Sequence, residues 1–285
     1  MHSHTTFVHL TDLHIADPEV PDEGLHSDTT TTLTRILSQV KLLHPQPRFI
    51  VVSGDLTNRG DEGSYRELQR ILGEASLDTP LILALGNHDE REGFYRVMLD
   101  RETDLEAPFF HDRVIDGIHI ITLDSSTPGE IGGSIEPEQF DWLEERLAAH
   151  PDLPKLLVVH HAPSLDEDDL DGEWEAISCE DTIRLRQLLN GHDVIGILSG
   201  HIHHDRVSHW YGIPVVVGIG QHTAADPLYL HDRLRMVSGA SFAVGTIRPS
   251  GMTVSFVPQA SDRRELCTYT YEEIRSKFQA PEAAE

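Results

Sequence analysis

The chain has 285 residues, which suits one large domain, or one domain with a modest appendage, and is long enough for a deep hydrophobic core. Its formal net charge of −26 argues against nucleic acid and against an anionic membrane surface as partners, since both attract basic proteins. The 2 cysteines lie far apart and form no CxxC pair, which excludes a zinc finger and argues against a disulfide framework.

Hydropathy gives no sign of a membrane span or a leader. No segment approaches the ~20 consecutive apolar residues of a transmembrane helix. The first residues, MHSHTTFVHLTDLH, lack the basic start and apolar stretch of a signal peptide. We therefore expect a cytoplasmic protein.

The N-terminal half alternates between predicted strands and helices. FVHLTDLH begins as an apolar strand, and SDTTTTLTRILSQVKLLH has apolar residues at helical spacing behind a cap at Ser27 or Asp28. RFIVVSGD and PLILALGNHD predict strands that end in turns, with a helix, DEGSYRELQRILGEA, between them. VIDGIHIITLDSS predicts a hairpin that turns at Asp116-Gly117.

The alternation continues and then gives way to strands. EPEQFDWLEERLAAH and CEDTIRLRQLLNG are predicted helices, while KLLVVHHAP and DVIGILSGHIHHD are predicted strands. GIPVVVGIG, SFAVGTIR and GMTVSFV are strand-like. This order predicts a buried sheet with helices outside it, and a second sheet or strand layer stacked on the first. The acidic run at residues 164–175 is typical of a solvated loop.

Polar residues that can bind metals follow five of the predicted strands. They are Asp12 and His14, Asp55, Asn87 with His88 and Asp89, His160, and His201 with His203. In open α/β sheets, ligands bind beyond the carboxyl ends of the strands. On extended backbone, residues i and i+2 point the same way, so each of the two i, i+2 pairs is expected to face one pocket. Glycines at 54, 86 and 200 allow sharp turns and leave room above the sheet.

The donor atoms indicate a metal centre. Nitrogen and oxygen ligands without thiolates suit Mn, Fe, Zn or a similar ion. Seven ligands exceed what one tetrahedral ion takes. They suit two ions about 3.5–4 Å apart that share a carboxylate, an arrangement used for displacement at phosphorus.

Five motifs in fixed order carry a family resemblance. DLH, GDLTNRG, GNHD, HHAP and GHIHH, spread over residues 10–203, resemble the binuclear metallophosphoesterase (calcineurin-like) family. The stretches LDSSTPGE and GNHDER are similar to those of its class III cyclic nucleotide phosphodiesterases and bacterial glycerophosphodiesterases.

The resemblance implies a role for each motif residue. Asp12, His14 and His203 would bind one metal, and Asn87, His160 and His201 the other. Asp55 would bridge them. His88 would face the substrate phosphate without binding metal, and Asp89 would orient His88. The cofactors would be two divalent ions, or Fe(III) with a divalent ion, chosen among Mn, Fe and Zn.

The implied fold is α/β, with two stacked mixed β-sheets flanked by helices and a small C-terminal β extension. Residues 1–222 would be the catalytic domain. Residues 223–285 would supply strands and a tail that complete the domain or form an oligomerisation or cap element. Because relatives often associate through such parts, we expect a homo-oligomer.

Several polar residues near the motifs have no assigned role. His161 and His204 break the i, i+2 alternation, and we interpret them as neighbours of the site. His222 follows a late strand and is either structural or part of the substrate pocket. Asn58 and Arg59 either contact substrate or hold their loop.

Three hypotheses for function follow. The first is hydrolysis of a small phosphodiester, above all a 3′,5′-cyclic nucleotide, by a hydroxide that bridges the metals. The second keeps this chemistry but takes glycerophosphodiesters or phospholipid head groups as substrates. The third is a non-catalytic scaffold that metal stabilises, and a histidine beside the metals that binds neither, His88, argues against it.

Overall fold

Helices and strands alternate along most of the chain, and strands dominate its C-terminal part. The computed structural model describes residues 4–229 and 233–276. Within these ranges the α-helices are α1 (Thr29–Val40), α2 (Glu62–Ala75), α3 (Arg91–Met98), α4 (Pro137–Ala149), α5 (Cys179–Leu189) and α6 (Tyr271–Ser276). The strands are β1 (Thr5–Leu10), β2 (Phe49–Ser53), β3 (Leu81–Ala84), β4 (His111–Ile115), β5 (Ile118–Thr122), β6 (Lys155–Val158), β7 (Ala162–Pro163), β8 (Ala176–Ile177), β9 (Val194–Ser199), β10 (Arg206–Trp210), β11 (Ile213–Val217), β12 (Ala224–Ala225), β13 (Arg233–Val237), β14 (Ser241–Arg248), β15 (Gly251–Pro258) and β16 (Glu265–Thr270). Short 3₁₀ helices span Leu170–Glu175 and Pro227–Tyr229.

Two mixed sheets form the centre of the molecule. The first has five strands in the order β15-β14-β1-β2-β3, and the second has six in the order β10-β11-β9-β6-β5-β4. Strands β1, β2 and β3 run parallel, while β14 is antiparallel to β1. In the second sheet β5, β6, β9 and β11 run parallel, and an antiparallel strand closes each edge.

The core has three layers, which confirms the predicted sandwich. Between the sheets, Phe7 stacks on Phe49 with ring centroids 5.3 Å apart, and Leu156 and Leu198 of the second sheet pack into the same cluster. Helices α1, α2 and α3 cover the outer face of the first sheet, and α4 and α5 cover that of the second. The fold is therefore α/β, with helices outside two stacked sheets.

Local signals in the sequence account for several element boundaries. The Asp28 side chain accepts a hydrogen bond from the Thr31 amide, which caps α1 as predicted. Asp116 and Gly117 have φ angles of 51° and 77°. Both lie in the left-handed region, which a two-residue hairpin turn between β4 and β5 requires.

The C-terminal strands divide between two sheets. Strands β14 and β15 belong to the first sheet, next to β1, while β12, β13 and β16 form a separate three-stranded sheet. Four elements were not predicted from sequence patterns: β10, β13, β16 and α3. Among the described residues, no helix combines the length and the apolar character needed to cross a membrane.

The buried face of α1 gives a matched test of this packing. Leu37 is 1% exposed against the first sheet, whereas Leu42, just past the helix, is 83% exposed. We expect Leu37→Ala to lower the free energy of unfolding by about 2–5 kcal/mol, because it leaves a cavity. Leu42→Ala should change it by less than about 0.5 kcal/mol. Urea unfolding measures both, and equal effects would contradict the orientation of α1.

Candidate metal centre

The seven residues expected to bind metal lie just beyond the carboxyl ends of five strands. They are Asp12 and His14 after β1, Asp55 after β2, Asn87 after β3, His160 after β6, and His201 and His203 after β9. The first three of these strands belong to the first sheet and the other two to the second. Both sheets therefore deliver side chains to one edge of the sandwich.

The backbone at these positions is left-handed rather than extended. Positive φ angles occur at Asp12 (47°), His14 (46°), Asp55 (49°), His201 (74°) and His203 (50°). The i, i+2 argument from extended backbone is therefore wrong, because β1 ends at Leu10 and β9 at Ser199. Such a conformation costs about 1–2 kcal/mol for a residue with a Cβ, and it clusters at functional sites.

Close backbone contacts hold these turns in place. The Asp12 amide donates to the Gly54 carbonyl over 3.1 Å, and the His14 amide donates to the Asp55 carbonyl over 3.0 Å. At Gly200, a Cβ would overlap the Asp12 carboxylate, so a glycine is required there for the two loops to approach.

Asp12, His14 and His203 form the first group of donors. The Nε2 atoms of His14 and His203 lie 3.3 Å apart, and His203 Nε2 lies 3.3 Å from Asp12 Oδ1. The outer nitrogens are engaged, since His14 Nδ1 donates to Asn58 Oδ1 (2.8 Å) and His203 Nδ1 donates to the Thr223 carbonyl (2.8 Å). These bonds direct both Nε2 lone pairs inward, where they repel each other unless a cation lies among them.

Asn87, His160 and His201 form the second group. Asn87 Oδ1 lies 3.2 Å from His160 Nε2 and 3.0 Å from His201 Nδ1. His160 Nδ1 donates to the Ser53 carbonyl (2.9 Å), and His201 Nε2 donates to the Trp174 carbonyl (2.7 Å). The inner nitrogen of each ring therefore points toward the amide oxygen of Asn87.

Asp55 lies between the two groups. Its Oδ2 atom is 3.6 Å from His14 Nε2 and 3.3 Å from His160 Nε2, while Oδ1 accepts a hydrogen bond from the His88 amide (2.9 Å). One carboxylate oxygen thus faces both sets of histidines, as a bridging ligand would.

Burial and charge determine the proton balance of this cluster. Burial lowers the pKa of His14 to about 3 and that of His201 to about 4. Burial alone would also lower the pKa of His203 and His160, but the Asp12 and Asp55 carboxylates outweigh it and raise both, that of His160 to about 9. The two carboxylates thus favour the protonated form of both rings, and a divalent cation bound there would displace those protons.

His88 differs from the seven donor residues in being exposed, although it offers a ring nitrogen within 4.8 Å of ligand atoms of His14 and Asp55. Its side chain is exposed in the cavity, and Nδ1 donates to the Asn58 carbonyl over 2.9 Å. No described residue hydrogen-bonds Nε2, so that nitrogen is free to meet a substrate.

The expectation that Asp89 orients the His88 ring is wrong. The Asp89 amide donates to the Gly86 carbonyl (3.1 Å) and closes a tight turn that directs the carboxylate away from His88. There it accepts hydrogen bonds from the Leu56 and Thr57 amides (3.0 and 3.1 Å) and from the Tyr65 hydroxyl (2.9 Å). Asp89 therefore holds together the loops that carry Asp55 and Asn87.

Three further histidines adjoin the centre, and two of them, His161 and His222, have a ring nitrogen within 4.8 Å of its ligand atoms. His161 is fully buried, and Ser125 Oγ and the Ile131 carbonyl (both 2.8 Å) occupy its two nitrogens. His222 packs on the His14 ring, but its Nε2 accepts from the His26 amide (2.9 Å) and has no lone pair left for metal. His204 is half-buried in the cavity wall, as a neighbour of the site would be.

Some contributors could not be read from the sequence. Trp174, Thr223 and Ser53 act through backbone carbonyls, which no side-chain motif reveals. Of the two roles considered for Asn58, the structure supports the one in which it holds its loop. Its Oδ1 orients His14, and its Nδ2 donates to Asp22 (2.7 Å). Its backbone carbonyl orients His88. Arg59 pairs with Asp22 (2.8 Å) and touches none of the donors.

The centre opens into a cavity of about 500 Å³. Asp55, Asn87, His88, His201 and His203 line one end of it. This volume lies in the range of small-molecule sites.

Comparison with known proteins assigns the family. Residues 5–205 match the model of the calcineurin-like phosphoesterases, which bind a binuclear metal centre. The chain belongs to the calcineurin-like phosphoesterase family. The resemblance seen in the five motifs is thereby confirmed, and the His and Asp groups of this chain include several that could hold metal.

Two relatives within this family have named activities. A Mycobacterium tuberculosis protein described as a cAMP/cGMP dual specificity phosphodiesterase is 34% identical over 211 residues, 72% of this chain and 65% of its own length. A glycerophosphodiester phosphodiesterase of Enterobacter lignolyticus is 29% identical over 200 residues, 68% of this chain and 69% of its own. The chain thus spans about two thirds of the length of these relatives.

A solved calcineurin-like structure supports the architecture. The purple acid phosphatase of yellow lupin covers 100% of this chain and 58% of its own length, with a TM-score of 0.63 and 16% identity. At this identity the likeness establishes the fold alone.

Asn58 tests whether the outer hydrogen bonds control metal binding. We expect Asn58→Ala to weaken metal binding by about 10–100-fold, since His14 Nδ1 loses its acceptor. Calorimetric titration of metal-free protein with Mn²⁺ or Zn²⁺ measures the affinity. Arg59→Ala is the matched control, because it removes the other partner of Asp22. Wild-type affinity in Asn58→Ala would contradict the prediction.

Proposed function

We propose that this chain hydrolyses small anionic phosphodiesters with two metal ions held by the seven donor residues, and that a 3′,5′-cyclic nucleotide is its substrate. The observation that carries the proposal is the position of Asp55 Oδ2, within 3.6 Å of one donor group and 3.3 Å of the other. Asp55 would therefore serve both donor groups, and a two-metal site stabilises the attacking and leaving oxygens in displacement at phosphorus.

The metals supply Lewis acidity, which activates water and neutralises charge on the phosphoryl oxygens. Asp12, His14 and His203 would hold one ion, and Asn87, His160 and His201 the other. Two divalent cations outweigh the charges of Asp12 and Asp55, so the site attracts a monoanionic diester. The donor set suits Mn, Fe or Zn.

His88 is proposed to act directly on the substrate. Its exposed ring lies beside the donor groups, with ring centroids 4.7 Å from His14. Because Nδ1 is fixed on the Asn58 carbonyl, Nε2 can hydrogen-bond a phosphoryl oxygen or, when protonated, give its proton to the leaving alkoxide. A metal-stabilised scaffold without catalysis would not need this group.

Glycerophosphodiesters and phospholipid head groups are the second candidate class. The Enterobacter relative supports them, and the Mycobacterium relative supports cyclic nucleotides. Both classes present the same monoanionic phosphodiester to the metals, so the remainder of the cavity must decide between them.

The rest of the proposal concerns organisation. Residues 1–222 would supply the chemistry, and residues after 222 would shape the cavity, which Pro227, Leu234 and Met236 help to line. We expect a cytoplasmic homo-oligomer that does not bind nucleic acid. Strand β15 supports self-association, since it is an edge of the first sheet and offers unpaired backbone groups.

Two variants separate metal binding from catalysis. We expect Asp55→Ala to lose its metals, because both donor groups depend on this carboxylate. We expect His88→Ala to keep its metals and lose about 10²–10⁴-fold in kcat, as removal of an acid or electrostatic group does. Metal analysis and diester turnover measure the two effects. Two tightly held metals in Asp55→Ala would refute the bridging role.

A substrate panel tests the function itself. Protein loaded with Mn²⁺ should hydrolyse cAMP, cGMP and bis(4-nitrophenyl) phosphate, and glycerophosphocholine with lower kcat/KM. A short oligonucleotide should not be cleaved, given the net charge of −26. Absence of turnover of every diester with Mn²⁺, Fe²⁺ and Zn²⁺ would overturn the proposal.

A further inference from the structure

The cavity extends well past the metal centre. Its far wall comprises Ile131, Trp174, Leu234, Met236, Tyr271 and Ile274, together with the charged residues Glu175 and Arg206. An apolar wall with few polar groups is typical of a site for an organic ligand. The cavity thus has a charged end for phosphate and an apolar end for another part of the substrate.

Most of this far wall lies outside the part of the chain that defines the family. The family match ends at residue 205, whereas β13 contributes Leu234 and Met236 after it, and α6 contributes Tyr271 and Ile274. The metal centre therefore lies within the family match, and most of the far wall lies outside it.

Trp174 connects the wall to the metal centre. Its carbonyl accepts a hydrogen bond from His201 Nε2 over 2.7 Å. The same residue therefore orients a proposed metal ligand through its backbone and lines the cavity with its ring. The ring centroid lies 6.1 Å from that of Tyr271, with 44° between the planes. Both residues line the cavity, where a planar ligand can contact their rings.

Arg206 and Glu175 add polar atoms to the same wall. Arg206 Nε is buried and has no hydrogen-bond partner among the described residues. A desolvated donor without a partner is costly, and an acceptor on a ligand would satisfy it. Glu175, close enough for its charge to act on Arg206, can accept a hydrogen bond from the same ligand.

We propose that Trp174, Tyr271 and Arg206 form a subsite for the nucleobase of a nucleotide diester. The proposal rests on the proposed function, and it names the feature that selects nucleotides over glycerophosphodiesters. The base would stack on the aromatic rings. A purine edge carries both acceptors and donors, which match the guanidinium of Arg206 and the carboxylate of Glu175.

A choline head group is the rival occupant, since aromatic rings also bind quaternary ammonium ions. Arg206 argues against it, because its buried Nε has no acceptor among the described residues and a quaternary ammonium ion offers none. A nucleobase is uncharged and gives the Arg206 donor an acceptor.

The test compares two diesters in one variant. We expect Trp174→Leu in the metal-loaded protein to lower the ratio of kcat/KM for cAMP to that for glycerophosphoethanolamine by about 5- to 150-fold, mainly through KM for cAMP. Trp174→Phe should restore most of the ratio, since it keeps a flat ring. Tyr271→Leu is a second variant with the same expectation. Trp142→Leu, on α4 and outside the cavity lining, should keep the wild-type ratio.

Binding of 5′-AMP, measured by calorimetry, separates this proposal from the proposed function. If the wild type hydrolyses diesters but Trp174→Leu and Tyr271→Leu change neither the ratio nor the Kd for 5′-AMP, the subsite is refuted and the function stands. If the wild type hydrolyses no diester but binds 5′-AMP through Trp174, the function fails and the subsite stands. A selective loss of glycerophosphocholine turnover in Trp174→Leu would show that the wall binds choline and would overturn the proposed nucleobase subsite.

Discussion

The structure depends on a cluster of buried donor atoms that cannot remain without positive charge. Two carboxylates, the Asn87 amide and four imidazoles place their inner atoms 3.0 to 3.6 Å from one another at the closest pairs. The outer nitrogens of the rings are all hydrogen-bonded to oxygen, three of them to backbone carbonyls. The lone pairs therefore converge on the space between the carboxylates. Protons or metal cations must occupy that space, and a metal ion binds the deprotonated form of each ligand there.

The two-sheet sandwich supplies the rigidity that this convergence requires. Five of the donor residues have left-handed backbone, a conformation that persists only where the surrounding structure enforces it. The strands before them are buried on both faces, between the inner core and the outer helices. Backbone hydrogen bonds between the β1 and β2 loops then fix Asp12 and His14 relative to Asp55. The packing of the two sheets thus stabilises the strained turns at the ends of these strands.

Much of the centre is predictable from sequence, and the reasons for the exceptions are physical. Asp, Asn and His after apolar strands indicate ligands at one sheet edge, and their types indicate metal. The alternation rule fails at His201 and His203 because the strand ends before them. Because Asp89 follows His88 directly in the sequence, it is expected to support the His88 ring. A tight turn, closed by the hydrogen bond from the Asp89 amide to the Gly86 carbonyl, instead points the Asp89 carboxylate at the amides of Leu56 and Thr57. The pattern of side chains in the sequence does not indicate such turns. Nor does it indicate which backbone carbonyl accepts the hydrogen bond of each histidine ring.

The acidic run at residues 164–175 illustrates the same limit and has a functional consequence. Its composition is typical of a solvated loop, but its end folds into a 3₁₀ helix, Leu170–Glu175, whose Trp174 carbonyl holds His201. One residue therefore contributes its backbone to metal geometry and its side chain to the cavity wall. A change in the path of this segment would alter ligand selection and His201 orientation together. Under the proposed function, substrate selectivity and metal binding would be coupled through a single residue, whose carbonyl meets His201 and whose ring lines the cavity.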